Sequence, residues 1–244
     1  MQTLPKIIAR EFNVLLPLTQ KTVRARAFLV KEEKILLTAI EGFQANSEKD
    51  SRILIEAVFQ ILQSCVLTQT VDVLKLPIVD VEWLFLEIRK NSIGEQVEVL
   101  KACKHCDTPN KINVDLNVCQ VHFPEGHTNK IAVNENVGLT MAYPSLYETY
   151  DISLKAKNMT ETSYDLVLDS IDTIYEGEEF ANARQFPKEE LKQWVEGLSP
   201  DVYKEINNFF VTMPYLETKV PFVCEACNGE DAVEVSGITG FFTS

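Results

Sequence analysis

The chain has 244 residues, 45% of them apolar, and sets 36 acidic side chains against 23 basic ones, a formal charge of −13. That apolar content can build one large or two modest cores, while the charge repels phosphate backbones and anionic lipid and so disfavours nucleic-acid binding. No apolar stretch approaches the length of a secretion signal or a membrane span, and Lys6, Arg10 and Glu11 interrupt the opening segment, so a soluble protein of a reducing cytoplasm is expected.

Residues 1–30 hold Pro5 and Pro17 and then an alternating stretch, 22–30, that reads as a strand; together they form an N-terminal β arm. From Lys31 the period changes, with Ile35, Leu36, Ala39 and Ile40 on one helical face and Gly42 as a stop. A second helix is expected over 47–67, its stripe running from Ile53 to Cys65, which is read as a small buried core residue. Pro77 opens a third helix that is apolar nearly all round and therefore central; Asp80 and Glu82 suit its positive end and Gly94 ends it. Residues 95–102 alternate as a strand. Short strands follow over 111–142, with turns at Pro124-Glu125-Gly126 and Val137-Gly138. Helices are expected over 166–175, 188–198 and 200–213, the last with Ser199 as N-cap and Pro200 as its first residue. Residues 219–224 and 233–244 close the chain.

Two pairs, Cys103-Lys104-His105-Cys106 and Cys224-Glu225-Ala226-Cys227, supply the four thiolates that a structural zinc takes tetrahedrally. Two intervening residues let a tight turn aim both sulfurs at one ion. Pro109-Asn110 and Asn228-Gly229 are turn formers placed where each knuckle folds back into a strand. Two disulfides or neighbouring buried thiols are the alternatives. A redox dithiol fits less well, because neither pair clearly follows a strand and opens a helix. Four protein ligands leave no position for water, so the expected Zn2+ is structural, bound by Cys103, Cys106, Cys224 and Cys227. Cys119, like Cys65, stands alone. His105 is a competing ligand, whereas His122 and His127 flank a turn and read as surface residues. The acidic stretch Glu176-Gly177-Glu178-Glu179 lacks ordered ligand spacing and reads as a solvated loop. The chain contains none of the phosphate-loop, dinucleotide, zinc-protease or nucleophile-elbow motifs, so no enzyme is expected.

The fold class is therefore α+β, a mixed helical body with short β strands and a zinc ribbon formed by two distant knuckles. Its expected divisions are the β arm (1–30), a helical segment (31–94), the zinc ribbon (95–120 and 215–244) and an insertion of short strands and helices (121–214). Residues 208–215 and the terminal Phe241 and Phe242 carry aromatic groups that either close this chain's own core or dock on a partner.

Residues 30–37, 75–95 with Leu76-Pro77-Ile78-Val79-Asp80-Val81-Glu82, 209–214 ending Thr212-Met213-Pro214, the two knuckles and the Gly240-Phe241-Phe242 ending together resemble the baseplate hub proteins of contractile-tailed phages of the T-even type. The likeness is collinear from about residue 13 onward. It implies a late virion protein or assembly factor of the tail baseplate hub, assembled in the host cytoplasm, with other hub or tail proteins as partners. It implies no catalysis, membrane, nucleic acid or small-molecule substrate. Two other readings stand beside it. A zinc-ribbon nucleic-acid adaptor or regulator would rely on Lys101, Lys104 and Lys111, and a transient tail assembly chaperone would leave before the virion matures.

Overall fold

The computed structural model describes residue 4 and residues 7–42, 48–155 and 158–236. These divide into two units. One takes the described residues up to Val73, Val79–His122 and those from Tyr215 onward; the other takes Leu74–Ile78 and Phe123–Pro214. Phe241 and Phe242 lie outside the described residues.

The first unit opens with a hairpin of β1 (Glu11–Leu15) and β2 (Thr22–Arg26), in which Val14 stands opposite Val23. Period-two alternation buries Val14, Val23 and Ala25 on one face. Helix α1 (Val30–Gly42) starts with Glu32 reaching back to accept the Leu29 N–H at 2.9 Å, half of a capping box. The same carboxylate, fully buried, pairs with the Arg26 guanidinium at 2.8 Å. Burial pushes its pKa up, but the Arg26 hydrogen bond, the Leu29 N–H and Lys31 outweigh that and hold it at about 2. Helix α2 (Glu48–Cys65) buries Leu54, Val58, Ile61 and Leu62, and burial pushes the Cys65 thiol up to about 11.

Helix α3 (Ile78–Ile93) buries residues on every face, including Val81, Leu84, Phe85 and Ile88, and stops at Gly94, whose φ of +120° favours glycine. Asp80 does more than favour the helix start. Its two oxygens accept the Leu18 and Thr19 N–H groups at 2.8 and 3.0 Å, fixing the turn between β1 and β2. Beyond α3 come β3 (Gln96–Ala102), β4 (Pro109–Asp115) and the short β5 (Gln120–His122).

The second unit builds an antiparallel sheet in the order β6-β7-β8-β9 from Lys130–Ala132, Val137–Met141, Ile171–Glu176 and Glu179–Asn182. Its helices are α4 (Leu146–Lys155), α5 (Met159–Ser170), α6 (Lys188–Glu196) and α7 (Pro200–Val211). Leu139, Met141, Val167, Ile206 and Phe209 lie in one core, so Phe209 belongs to this chain's own interior. The Ser199 hydroxyl accepts the Val202 N–H at 3.4 Å and caps α7, with Pro200 in its first turn.

Two expected elements are corrected. The helix expected over 166–175 breaks at Ser170, because Ile171, Thr173 and Tyr175 are β-formers that pair along β7. The turn expected at Val137-Gly138 lies just before it: Asn134 Oδ1 accepts the N–H groups of Asn136 and Val137, both at 2.8 Å, and Gly138 sits inside β7.

The chain returns to the first unit as β10 (Tyr215–Val223) and β11 (Glu230–Ser236), which join β5 in a sheet of order β11-β10-β5. Leu86 of α3 shares a core with Val99, Val114, Leu216 and Val233, so α3 supports both the β3–β4 and the β10–β11 hairpins. No helix among the described residues is long and apolar enough to cross a membrane.

Candidate metal centre

The connections of those two hairpins have the same geometry. Cys103 N donates to Thr108 O and Cys224 N to Gly229 O, both at 3.0 Å; Asp107 N donates to Cys103 O and Asn228 N to Cys224 O, both at 2.9 Å. The residue after the second cysteine is left-handed in each, with φ of 56° at Asp107 and 55° at Asn228. Asp and Asn tolerate that conformation better than other residues with a Cβ. An Asx residue following both pairs, Asp107 as well as Asn228, is thus a sequence signal for the shared fold.

The knuckles bring all four cysteines together. Cys103 Sγ lies 3.8 Å from Cys227 Sγ and Cys106 Sγ 3.7 Å from Cys224 Sγ, and all four sulfurs fall within 4.8 Å of one another. A disulfide needs about 2.05 Å. Four sulfurs placed tetrahedrally at about 2.3 Å from zinc would stand roughly 3.8 Å apart, so the cluster could hold a metal ion of that size. Cys103 and Cys224 are buried, while Cys106 and Cys227 face solvent.

The electrostatics also fit a cation. Backbone N–H groups of Cys227 and Ala226, with the Asn110 amide, hold the Cys224 thiol at about 6. The Thr108 hydroxyl, 3.3 Å away, lowers Cys106. The Gly229 N–H pulls Cys227 down, but the neighbouring sulfurs of Cys106, Cys103 and Cys224 overcome it and push Cys227 up to about 12. Four crowded sulfurs cannot all shed their protons without a positive charge among them.

Asn110 was read as a turn former and is instead a buried bridge between the knuckles. Its amide N–H groups point to Thr108 O at 2.8 Å and Cys224 Sγ at 3.5 Å, and its oxygen accepts the Glu225 N–H at 3.2 Å. Asp231 accepts the Lys104 N–H at 2.9 Å and ties the first knuckle to β11. His105 lies outside the cluster, its Nε2 3.1 Å from Glu230 O. A Cβ at Gly229 would lie 2.6 Å from the His105 ring and 3.2 Å from Cys227 Sγ. Gly229→Ala is expected to cost about 1–3 kcal/mol by overpacking, read as a lower thermal midpoint with metal stoichiometry retained.

The remaining cysteines and histidines separate. Cys119 is buried beside Leu116 and Val114, where burial raises its pKa. His122 is exposed on β5 and packs against Tyr215 at 5.2 Å. His127 is not the surface residue expected. It stacks on Phe209, donates from Nδ1 to Thr212 Oγ1 at 2.8 Å, and accepts from the Tyr143 hydroxyl at Nε2, 2.9 Å away. Thr212 spends its own proton on Asn208 O, which fixes this neutral tautomer. Burial lowers the His127 pKa. Its contribution to stability is therefore complete above the unfolded value of about 6.5 and is lost as pH falls below it. Denaturant titrations at pH 7.5 and 5.5 should show that loss, and His127→Gln should remove part of it.

Two hairpins whose turns bring four cysteines together, supported on a helix, define a mixed α+β protein with a candidate metal site. The chain belongs to the family described as T4 bacteriophage base plate protein, whose model matches residues 9–243. No curated protein and no solved structure matches it. The molecule is thus a T4-type phage baseplate protein with a structural role among tail proteins.

Proposed function

We propose that this chain builds or assembles the central hub of the contractile tail baseplate, acting through protein–protein contacts, with a structural Zn2+ held by Cys103, Cys106, Cys224 and Cys227. The observation that carries this reading is the closed set of four sulfurs within 4.8 Å. A closed set supplies rigidity and leaves no open position for substrate or water, so we read the protein as non-catalytic. Zinc would tie together hairpins whose cysteine pairs are 117 residues apart, at apparent affinities of roughly 10–16 kcal/mol in small peptides.

The surface of the ribbon supports protein partners over a polyanion. Lys104 lies 3.8 Å from Asp231, Lys111 2.9 Å from Glu98 and Lys219 2.8 Å from Glu234, so acids answer much of its positive charge.

Elemental mass spectrometry of the purified protein, with thiol titration before and after chelation, tests the metal; about one zinc per chain with four thiols released is expected. Loss of the gene should leave phage without functional hubs, and normal tails from such a mutant would overturn the hub assignment. Mass spectrometry of purified virions then separates a resident subunit from an assembly factor.

A further inference from the structure

We infer that the open edge of β9 binds the segment of residues 4–10 from a second copy of this chain. Strand β9 is the outermost of its sheet, and among the described residues only β8 pairs with it. On that edge Phe180 is 80% exposed.

The cross-strand row leading to Phe180 shows why. Gly138 stands opposite Tyr175 and Tyr175 opposite Phe180. The missing side chain at Gly138 lets the Tyr175 ring lie across it, since a Cβ there would stand 2.1 Å from the Tyr175 hydroxyl oxygen. The row then stops at Phe180, and one more strand would continue it by setting a side chain against that ring. The edge is already shaped. Gly177, with φ of +60°, turns the β8–β9 hairpin, and its N–H donates to Asn136 O at 2.8 Å. Glu176, Glu178 and Glu179 are exposed around the turn.

An occupant of this edge must be extended, apolar and basic. Residues 4–10 read Leu-Pro-Lys-Ile-Ile-Ala-Arg, placing Lys6 and Arg10 around two isoleucines in a chain of formal charge −13. Leu4, Ile7 and Ile8 are 94%, 82% and 81% exposed. Arg10 is anchored through its carbonyl, which accepts the Ala27 N–H at 2.8 Å, and four residues from Ile7 match the four of β9. Pro5, which lacks an N–H, falls outside that paired stretch. Strand addition of this kind takes affinity from the main chain and specificity from alternate side chains. Each copy carries both surfaces, so the contact is head-to-tail and closes into a ring or propagates.

Sedimentation of the full-length protein from about 1 to 100 μM should show concentration-dependent association, and a labelled peptide of residues 4–10 should bind the protein. I7D/I8D and F180S, all at exposed positions, should each weaken self-association at least about tenfold. E178K/E179K should weaken it too, and combining those changes with K6E/R10E should restore it, which a general loss of folding would not do. A monomer at every concentration overturns the inference, whether or not the peptide binds. Self-association indifferent to F180S overturns it equally.

Discussion

Cys103→Ser and Cys227→Ser are each expected to open the ribbon and lower the thermal midpoint by roughly 8–20 °C. The loss follows from loop closure. A clip spanning more than a hundred residues constrains the unfolded chain by about 4–5 kcal/mol by analogy with a cross-link, and each kcal/mol moves the midpoint of a chain this size by about 2–4 °C. The hydrophobic core under the ribbon is modest, a small cluster around Leu86, Val114 and Leu216, and gives the two hairpins little else to hold them once a sulfur is lost. Cys119→Ser should cost only about 1–2 kcal/mol, because it places a hydroxyl in an apolar site without touching the cluster. Calorimetry on all three variants, with metal content measured alongside, checks the order. Equal losses would mean that burial, rather than a shared metal, explains these cysteines.

Glu32→Gln is expected to cost about 3–5 kcal/mol, as for any buried ion pair that loses one partner. The Arg26 side chain is only 13% exposed and the Glu32 side chain 1%, so the guanidinium would be left without its counter-charge and the Leu29 N–H with a weaker acceptor. The pH dependence has a definite sign. The folded Glu32 carboxyl sits at about 2, below the unfolded value of about 4.3, so its stabilisation is complete above roughly pH 4.5 and is lost as pH falls toward 2. Denaturant titrations at pH 7 and pH 3 should show the wild-type and Glu32→Gln stabilities converging at the lower pH.

Long periodic elements with punctuated ends were legible in the sequence. Helix α3 begins just after Pro77 and ends before Gly94, and α7 carries its Ser199 and Pro200 start where the residues place them. The ribbon hairpins were legible because cysteine spacing and strand alternation agree. The helical expectation over 166–175 failed because it joined two apolar runs across a boundary, and only the pairing of β8 with β7 tells that stretch which period to follow. Asn110 and Asp80 were read only in part for a related reason. Each was given a local turn or helix-end role, and each also works through a partner distant in sequence: Asn110 through Cys224, Asp80 through Leu18 and Thr19. Local pattern shows that a polar residue is tolerated at a position; it does not show what that residue binds.

The distance between the two knuckles also sets an order of events during synthesis. At about 5–20 residues per second, a ribosome needs roughly 6–23 s to add the 117 residues between Cys106 and Cys224. Throughout that interval the first pair of thiols is made but lacks its mates, while most of the second unit, Phe123–Pro214, is already emerging as one continuous stretch. The ribbon therefore closes only after the stretch Phe123–Pro214 has been made, and a complete cluster marks a molecule whose translation has passed Cys227.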